Sequence, residues 1–330
     1  MRILQIGLGR WGQNHLRTWR KLAAEGGASA PELLVCDTRP ELLNGLAEKA
    51  SLDWRELLPE ADALDVVTPA PAHAEMVRAA LEAGKHVLVE KPLTPRAKEG
   101  FALAALARER SCILQVGHVF RFAPEARAVV EAVRAGRVGT VRCAMARFAG
   151  FKRPRTDGGL AISDGVHFVD LLSWLLGRQP VAVTAVTRDF LGRGMDDLAL
   201  LALDYGDALG HVEASCFPPE QRRDLVVMGS EGAIVCDFLA KGEKVRLFAN
   251  VHRPGSGGAF EAVAGEVTPL AVSGEEPLTA ELRAFLEACR AGRPSAEAAD
   301  GFTGAAATAV IEAAERSAAE GRRVALALSC

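Results

Sequence analysis

Three features are scarce or absent in this sequence of 330 residues, and each absence excludes a class of protein. The seven cysteines are scattered, with no Cys-x-x-Cys pair and no Cys/His group at zinc-ligand spacing, so we expect reduced thiols, no metal site and a cytoplasmic protein. A formal net charge of −3 provides no broad basic field, which argues against nucleic-acid or membrane-surface binding. No uninterrupted apolar run approaches the length that crosses a bilayer.

What remains is the composition of an ordinary globular protein, and its length favours two domains. In the first third, short apolar runs alternate with helical patterns, which predicts an α/β domain with a doubly wound parallel sheet. Strand patterns separated by turns follow, and they predict an α+β domain with a large, mostly antiparallel open sheet. The expected domains are 1–120 and 121–330, and the helices expected in the first are 11–24, 40–49, 72–83 and 95–110.

A glycine-rich turn follows the first apolar run. It has the pattern Gly-x-Gly-x-x-Gly and leads directly into a helical segment. In such a turn Gly7 permits the tight bend, Gly9 lets a pyrophosphate approach the backbone, and Gly12 lets helix and strand pack closely. The setting favours a dinucleotide site over a glycine-rich turn without a ligand. The predicted phosphate-binding residues are Gly7, Gly9, Arg10, Trp11 and Gly12.

An acidic residue, Asp37, ends the second apolar run about 25 residues after Gly12. A carboxylate at this position can accept hydrogen bonds from the adenosine ribose, and its charge would repel a 2′-phosphate. Arg39, two residues later, could instead pair with such a phosphate. The sequence therefore favours NAD as the cofactor and leaves NADP as the alternative.

Ligands of parallel sheets bind beyond the carboxyl ends of the strands, which directs attention to three further segments. Thr68-Pro69 follows the third strand, Glu90-Lys91-Pro92 the fourth and Gly117-His118 the fifth. Pro92 ends its strand and favours an extended conformation at Lys91. We therefore expect Lys91 to point into the ligand crevice, although a lone lysine at a strand end is usually an ordinary surface residue.

A second group of polar residues lies on a helix that we expect at about 160–176. Ser163 and Asp164 precede His167 by about one turn, and Asp170 follows it by one turn. Neighbouring acids can hold a histidine in one tautomer and tune its pKa, as a general base requires, although a His–Asp pair can also serve packing alone. We predict that His167 and Asp164 are catalytic and that Ser163, Asp164 and His167 contact the substrate.

Two basic segments flank these residues in sequence. Lys152, Arg153 and Arg155 precede the helix, and they form either a solvated turn or a clamp on an anionic substrate such as a sugar acid. Arg121 adjoins Phe122-Ala123-Pro124, which restricts its direction. We predict Arg121 and Arg155 as substrate contacts.

These motifs together resemble those of the Gfo/Idh/MocA oxidoreductases, the family that includes glucose-fructose oxidoreductase and inositol dehydrogenase. The resemblance covers essentially the whole chain, and the string Gly-Lys-His-Val-x-x-Glu-Lys-Pro is its most specific part. The motifs are Gly7-x-Gly9-x-x-Gly12, Thr68-Pro69 with His73, Gly84 to Pro92, Arg121-Phe122-Ala123-Pro124, and Gly165-Val166-His167 with Asp170.

The resemblance implies a Rossmann domain followed by a substrate domain whose open sheet forms homodimers or homotetramers. It implies an NAD(P)-dependent oxidoreductase acting on a carbon of a sugar, polyol or sugar derivative, with Lys91 touching nicotinamide and substrate and His167 exchanging the hydroxyl proton. It extends the predicted cofactor contacts to Thr68, Pro69, His73, Glu90 and Lys91.

One position departs from the family pattern. Members that act on polyols usually carry an aspartate where this chain has Ser163, so either Asp164 substitutes for that acid or the site uses a different arrangement. Two other functions stay open on this fold: an NAD-dependent glycoside hydrolase and a non-catalytic regulator that binds the dinucleotide. The presence of both Lys91 and His167 argues against the regulator.

Overall fold

The computed structural model describes residues 1–154 and 158–328. The chain forms two compact units, and both are discontinuous in sequence. The first comprises Met1–Phe122 and Glu275–Ala309, and the second comprises Ala123–Gly274 and the chain from Val310 onward. The expected domains, 1–120 and 121–330, are consecutive in sequence, whereas in the structure Glu275–Ala309 belongs to the first unit.

Six parallel strands form most of the sheet of the first unit. They are β1 Arg2–Ile6, β2 Glu32–Cys36, β3 Lys49–Ser51, β4 Ala63–Val66, β5 His86–Glu90 and β6 Leu114–Gly117. Their order in the sheet is β3-β2-β1-β4-β5-β6. The strand order reverses at β1, so the carboxyl ends of β1 and β4 flank the crevice where ligands of such sheets bind. The predicted doubly wound parallel sheet is confirmed.

Helices cover both faces of this sheet, because successive side chains of each strand point to opposite faces. Ile3 packs with Trp19 and Phe285 in one apolar cluster, whereas Leu4 packs with Leu103 in another. Over both units of the described chain the helices are α1 Arg10–Glu25, α2 Trp54–Leu57, α3 His73–Glu82, α4 Ala97–Glu109, α5 Pro124–Arg134, α6 Val166–Leu176, α7 Pro277–Ala291 and α8 Gly301–Glu320, of which α5 and α6 belong to the second unit. Among the described residues, none of these helices combines the length and the apolar character needed to cross a bilayer.

The helix predicted over 40–49 is wrong. Pro40–Leu42 forms a single turn of 3-10 helix, and the chain then reaches Gly45, whose φ is +73°. A left-handed residue ends a right-handed helix, and glycine adopts that conformation without strain. The chain therefore turns at Gly45 and enters β3 at Lys49.

The second unit contains a mostly antiparallel sheet, as predicted. It runs in the order β16-β13-β12-β11-β7-β10-β9-β8-β18, and the β7–β10 pair is parallel. β14 and β15 form a separate hairpin, and β17 extends the first sheet beside β6. The strands are β7 Val141–Ala149, β8 Ala182–Arg188, β9 Leu198–Asp204, β10 Leu209–Ser215, β11 Arg222–Gly229, β12 Ala233–Asp237, β13 Val245–Phe248, β14 Val251–Pro254, β15 Phe260–Val263, β16 Val267–Pro269, β17 Ala299–Asp300 and β18 Val324–Ala325.

The two faces of this second sheet differ in burial. Along β7, Ala144 and Ala146 are buried, whereas Met145 and Arg147 between them are exposed. The same alternation runs along β9, and α6 packs against β7 and β10. One face thus carries the core of the unit, and the residues of the other face are accessible.

Candidate active site

The glycine-rich turn between β1 and α1 has the close approaches that its spacing predicts. Gly7 has a φ of +100°, and a Cβ there would lie 2.5 Å from the carbonyl oxygen of Val67. A Cβ on Gly12 would lie 2.1 Å from the carbonyl oxygen of Gly7, so neither position admits a side chain. A Cβ on Gly9 would meet only a guanidinium nitrogen of Arg39, at 3.7 Å, so the backbone is open there.

The first turn of α1 offers its backbone N–H groups to a ligand. Gly9 precedes the helix and provides no capping side chain, and the first turn contains no acidic residue. The uncapped N–H groups and the positive end of the helix dipole suit an anion. The Gln5 side-chain amide supports the turn by donating to the carbonyl oxygens of Gly7 and Gly12, at 3.1 and 2.8 Å. These residues therefore fit the pyrophosphate of a dinucleotide.

Asp37 lies directly after β2, and hydrogen bonds hold its carboxylate from two sides. The backbone N–H of Leu8 donates to Oδ2 at 2.7 Å, and the Arg39 guanidinium donates to the two oxygens at 3.1 and 3.3 Å. Burial acts to raise the pKa of Asp37, but these hydrogen bonds outweigh it, so the pKa lies below its usual value. The charge of Arg39 is thus engaged by Asp37, while the ionised carboxylate can accept from ribose hydroxyls.

The segment Glu90-Lys91-Pro92 ends β5 and contacts the glycine-rich turn. The Trp11 indole Nε1–H donates to Oε1 of Glu90 at 2.8 Å. A Cβ on Gly117, at the end of β6, would lie 2.9 Å from the same oxygen, so this glycine provides the room for the carboxylate. The Lys91–Pro92 peptide bond is cis.

His73 connects the ends of β4 and β5. Its Nδ1 lies 2.9 Å from the carbonyl oxygen of Pro92, and its Nε2 lies 2.9 Å from that of Thr68. The ring is 1% exposed, and burial lowers the pKa of His73. Pro69, the residue after Thr68, starts the turn that leads into α3. The predicted cofactor residues thus gather at the carboxyl ends of β1, β2, β4 and β5.

In the second unit, the helix predicted over 160–176 begins with one turn of π-helix. Ala161–Gly165 has this geometry, and α6 follows directly. A π-helical turn holds more residues than an α-helical turn and is frequent at functional sites. Asp196, from a distant loop, holds its start, because its Oδ2 accepts from the backbone N–H of Ala161 at 2.8 Å.

Three side chains surround the ring of Phe148 on β7, and with Asp164 we call them the Phe148 group. The His167 ring stacks on Phe148, with centroids 5.8 Å apart and planes inclined by 13°. Lys152 Nζ lies 4.6 Å from the ring centroid, and the Arg223 guanidinium carbon lies 3.4 Å from it. Lys152 also forms an ion pair with Asp164. The structure thus brings Asp164 and His167 into one group through shared neighbours.

The Phe148 group is largely withdrawn from water. His167 is 9% exposed and Asp164 is 6% exposed, and the adjacent Ser163 is buried too. Electrostatic interactions are stronger in such surroundings than in water. The charge of Asp164 is balanced by Lys152, so Asp164 is an ion-paired carboxylate rather than an isolated base.

Several residues of this site are not predicted from the sequence. Phe148 and Arg223 face each other across the β7–β11 pair, and only the strand register brings them together. Asp196 acts from a loop about 35 residues along the chain from the turn that it holds. The sequence does single out Lys152, as part of a basic turn, but not its pairing with Asp164.

Two further cations are predicted from the sequence as substrate contacts. Arg121 belongs to the first unit and is 5% exposed, and its Nη1 donates to the carbonyl oxygen of Ala298 at 3.5 Å. Arg155 lies outside the described residues. The substrate roles of both stay predictions, as do the individual roles of the other site residues.

Comparison with known proteins assigns the chain to a family. Residues 1–118 match the family model for an oxidoreductase family with an NAD-binding Rossmann fold, and residues 125–235 match the GFO/IDH/MocA C-terminal domain. The scyllo-inositol 2-dehydrogenase (NAD(+)) of Bacillus subtilis is 30% identical over 322 residues, with 89% of this chain and 87% of that protein covered. The chain belongs to the Gfo/Idh/MocA oxidoreductase family. The resemblance inferred from the motifs is thereby confirmed.

Other Gfo/Idh/MocA proteins are similar over most of their length. The UDP-N-acetylglucosamine 3-dehydrogenase of Acidithiobacillus ferrooxidans is 29% identical, with 89% of this chain and 90% of that protein covered. A solved structure of levoglucosan dehydrogenase in complex with NADH and levoglucosan has the same fold, with a TM-score of 0.84 at 20% identity over 98% of this chain and 99% of that chain. The predicted Rossmann domain, NAD as cofactor and oxidoreductase activity are confirmed for this family member.

Proposed function

We propose that this protein oxidises or reduces a carbinol carbon of a sugar, polyol or sugar derivative, with His167 exchanging the hydroxyl proton and Lys91 stabilising the charge that develops on the oxygen. NAD supplies the hydride acceptor or donor when bound. The observation that carries this proposal is the Phe148 group, in which a buried imidazole stacks on Phe148 and Lys152, over the same ring, is ion-paired with Asp164.

The imidazole of His167 is suited to accept a proton from a bound hydroxyl. Stacking on Phe148 restricts rotation of the ring, and a general base is effective only when its lone pair is held toward the proton. The nearby Asp164 favours the imidazolium that forms, although Lys152 balances part of its charge. Asp164 therefore orients and stabilises, while His167 moves the proton.

A substrate with several hydroxyl groups matches the polar side chains of the Phe148 group and the adjoining Ser163. Ser163 supplies a hydroxyl, Asp164 a carboxylate and Lys152 an ammonium group, so donors and acceptors are both present. Relatives named inositol 2-dehydrogenase and UDP-N-acetylglucosamine 3-dehydrogenase act on such compounds. Because Lys152 and Arg223 outnumber the one carboxylate in the group, anionic sugar derivatives belong among the candidate substrates.

A substrate panel tests this proposal. The purified protein is incubated with NAD⁺ and, separately, with inositols, free aldohexoses, hexuronic acids and nucleotide-sugars, and NADH formation is followed by its absorbance. We expect NADH with at least one of these classes. Absence of turnover with every class, in a protein that binds NADH, would contradict the proposal and favour the regulator. Hydrolysis of a glycoside without net NADH would favour the glycoside hydrolase.

Cofactor preference is expected to depend on Asp37. An Asp37→Ser variant loses the carboxylate that accepts from ribose hydroxyls and frees the Arg39 guanidinium to meet a 2′-phosphate. We expect the ratio of NADP to NAD affinities to rise by about tenfold or more, measured by titration with each reduced cofactor. Asp53→Ser, on the surface of the same unit, is the matched control, and an unchanged ratio in Asp37→Ser would contradict the expected role.

We also propose that the accessible face of the second sheet forms a homodimer or homotetramer interface. This face exposes Val186 and Leu200, which are cross-strand neighbours, and Met145. Exposed apolar side chains that adjoin one another are typical of protein interfaces. A Leu200→Glu variant is expected to sediment as a smaller species than the wild type. Leu239→Glu, which alters an exposed leucine outside the strands of this sheet, should leave the sedimentation unchanged, and equal behaviour of the two variants would contradict the proposal.

A further inference from the structure

Four ionisable side chains are buried together in the first unit, and three of them have no role in the chemistry above. His15 on α1, Asp65 on β4 and Glu281 on α7 are fully buried, and Glu90 at the end of β5 is 9% exposed. Nδ1 of His15 lies 2.9 Å from Oδ2 of Asp65, and its Nε2 lies 3.3 Å from Oε1 of Glu90. We call these four residues the His15 cluster.

His15 is the positive centre of the cluster. Nδ1 of His15 is within hydrogen-bond distance of Asp65, and Nε2 lies within ion-pair distance of Glu90 without hydrogen-bond geometry, so a carboxyl group lies on each side of the ring. Burial by itself lowers the pKa of His15, but Asp65 and Glu90 outweigh burial and raise the pKa to about 10. The ring is therefore an imidazolium at neutral pH.

Burial without a partner among the described residues disfavours the charged form of the Glu281 carboxyl group. Neither of its carboxyl oxygens has a hydrogen-bond partner within the part of the chain that the structure describes. Burial, and after it the negative charge of Glu90, raises the pKa of Glu281 well above its usual value. Within the cluster, the imidazole of His15 lies between two carboxyl groups, those of Asp65 and Glu90.

Glu90 transmits the effect of this cation to residues of the NAD-binding unit. Its Oε1 accepts from the Trp11 indole, and its Oε2 accepts from the backbone N–H of Lys91 at 3.2 Å. An ionised carboxylate accepts at both oxygens, whereas a protonated one carries a hydrogen on one of them. Burial opposes ionisation of Glu90, but His15 outweighs burial, and the pKa of Glu90 lies below its usual value.

We propose that His15 is a positioning residue for NAD: its buried positive charge keeps Glu90 ionised, and the Glu90 carboxylate holds the Trp11 indole and the Lys91 backbone in the arrangement that receives the cofactor. The proposal concerns cofactor binding by the first unit, so it does not depend on the substrate or on the proton chemistry of His167. NADH affinity, measured without turnover, therefore tests it separately from the proposed function.

The pH dependence expected of a His15→Gln variant follows from the groups that face Glu90. Without the imidazolium, burial favours a proton on Glu90 and the charge of Lys91 opposes it, and rising pH removes that proton. The titratable groups around Glu90 and the rest of the cluster are His15 on α1, Asp65 on β4, Glu281 on α7, Lys91 after β5 and His73 at the start of α3.

Fluorescence titration with NADH between about pH 6 and about pH 9 measures this effect. At about pH 7 we expect His15→Gln to bind NADH about tenfold more weakly than the wild type, because a charged acceptor of the Trp11 and Lys91 hydrogen bonds is lost. The deficit should shrink as the pH rises, whereas the ratio for the control His86→Gln should stay near one. His86 is a partly buried histidine at the start of β5, outside the cluster.

Glu90→Gln separates the proposal from a packing role of His15. The amide of a glutamine at position 90 does not titrate, so we expect Glu90→Gln to lose a similar amount of NADH affinity without recovery at higher pH. Adding His15→Gln to this variant should cause no further loss of NADH affinity. The proposal would be overturned if His15→Gln reduced NADH affinity by the same factor in the wild-type protein and in the Glu90→Gln variant. It would also be overturned if His15→Gln bound NADH with wild-type affinity at every pH. If His15→Gln does not fold, Glu90→Gln alone decides, because wild-type NADH affinity in that variant contradicts the proposal.

Discussion

Replacing His167 with asparagine is expected to lower kcat by about two to four orders of magnitude. Asparagine keeps a polar side chain of similar reach but cannot accept the hydroxyl proton. Its amide also stacks less extensively on Phe148 than the imidazole does. The measurement is steady-state NADH formation on the substrate that the panel identifies, with the NADH dissociation constant determined separately.

A second histidine of the same unit provides the matched control for this variant. His211 lies on β10 and is only partly buried, and its replacement by asparagine should leave kcat within about twofold of the wild type. The wild-type rate should also fall on acidification as the base becomes protonated, and the residual rate of His167→Asn should not. A kcat of His167→Asn near the wild-type value would remove His167 from the proton transfer.

Replacing Lys91 with methionine is expected to lower kcat by about two to three orders of magnitude, with a smaller change in NADH affinity. Methionine retains most of the length of the lysine side chain but removes the charge that opposes the negative charge developing on the substrate oxygen. This interaction is stronger in the transition state than with the bound hydroxyl, so the loss falls on kcat rather than on KM.

The surface residue Lys98 provides the control for the methionine substitution. It is exposed on α4, and Lys98→Met should keep the wild-type kcat and KM. A Lys91→Met variant with a raised KM and an unchanged kcat would mean that Lys91 only binds the substrate. The proposed stabilisation of charge on the reacting oxygen would then be wrong.

The geometry of the glycine-rich turn in the first unit follows from the sequence because steric requirements determine its residues. Gly7 and Gly12 have neighbouring backbone oxygens where a Cβ would lie, so the spacing of the glycines reports the geometry directly. Asp37 and Glu90 follow strands whose ends meet at one edge of a parallel sheet, and that edge can be inferred from the alternation of strands and helices.

The Phe148 group of the second unit depends on contacts between residues distant in sequence. Phe148 meets Arg223 because of a strand register, and the π-helical turn starts where Asp196 accepts a hydrogen bond from Ala161. Neither contact has a local signal. The error over 40–49 has a different cause, since the apolar spacing suits a helix but the left-handed Gly45 stops it.

The cluster around His15 also lies beyond what a sequence pattern can reveal. His15 is one histidine in an amphipathic helix, and its charge is set by Asp65 and Glu90 on two strands that come later in the chain. Periodicity identifies α7 as a helix with a buried face, but it does not say which sheet that face covers.

The late position of α7 in the chain has a consequence for biosynthesis. Leu282 and Phe285 of this helix share an apolar cluster with Ile3 of β1 and Trp19 of α1. During translation β1 and α1 leave the ribosome early, whereas α7 emerges only after residues 123–274 have been made. One face of the cofactor-binding sheet is therefore covered by α1 but lacks α7 while the whole middle of the protein is synthesised. The first unit begins to be synthesised before the second but is completed only when α7 has emerged. A nascent chain arrested before α7 therefore presents this apolar face to chaperones.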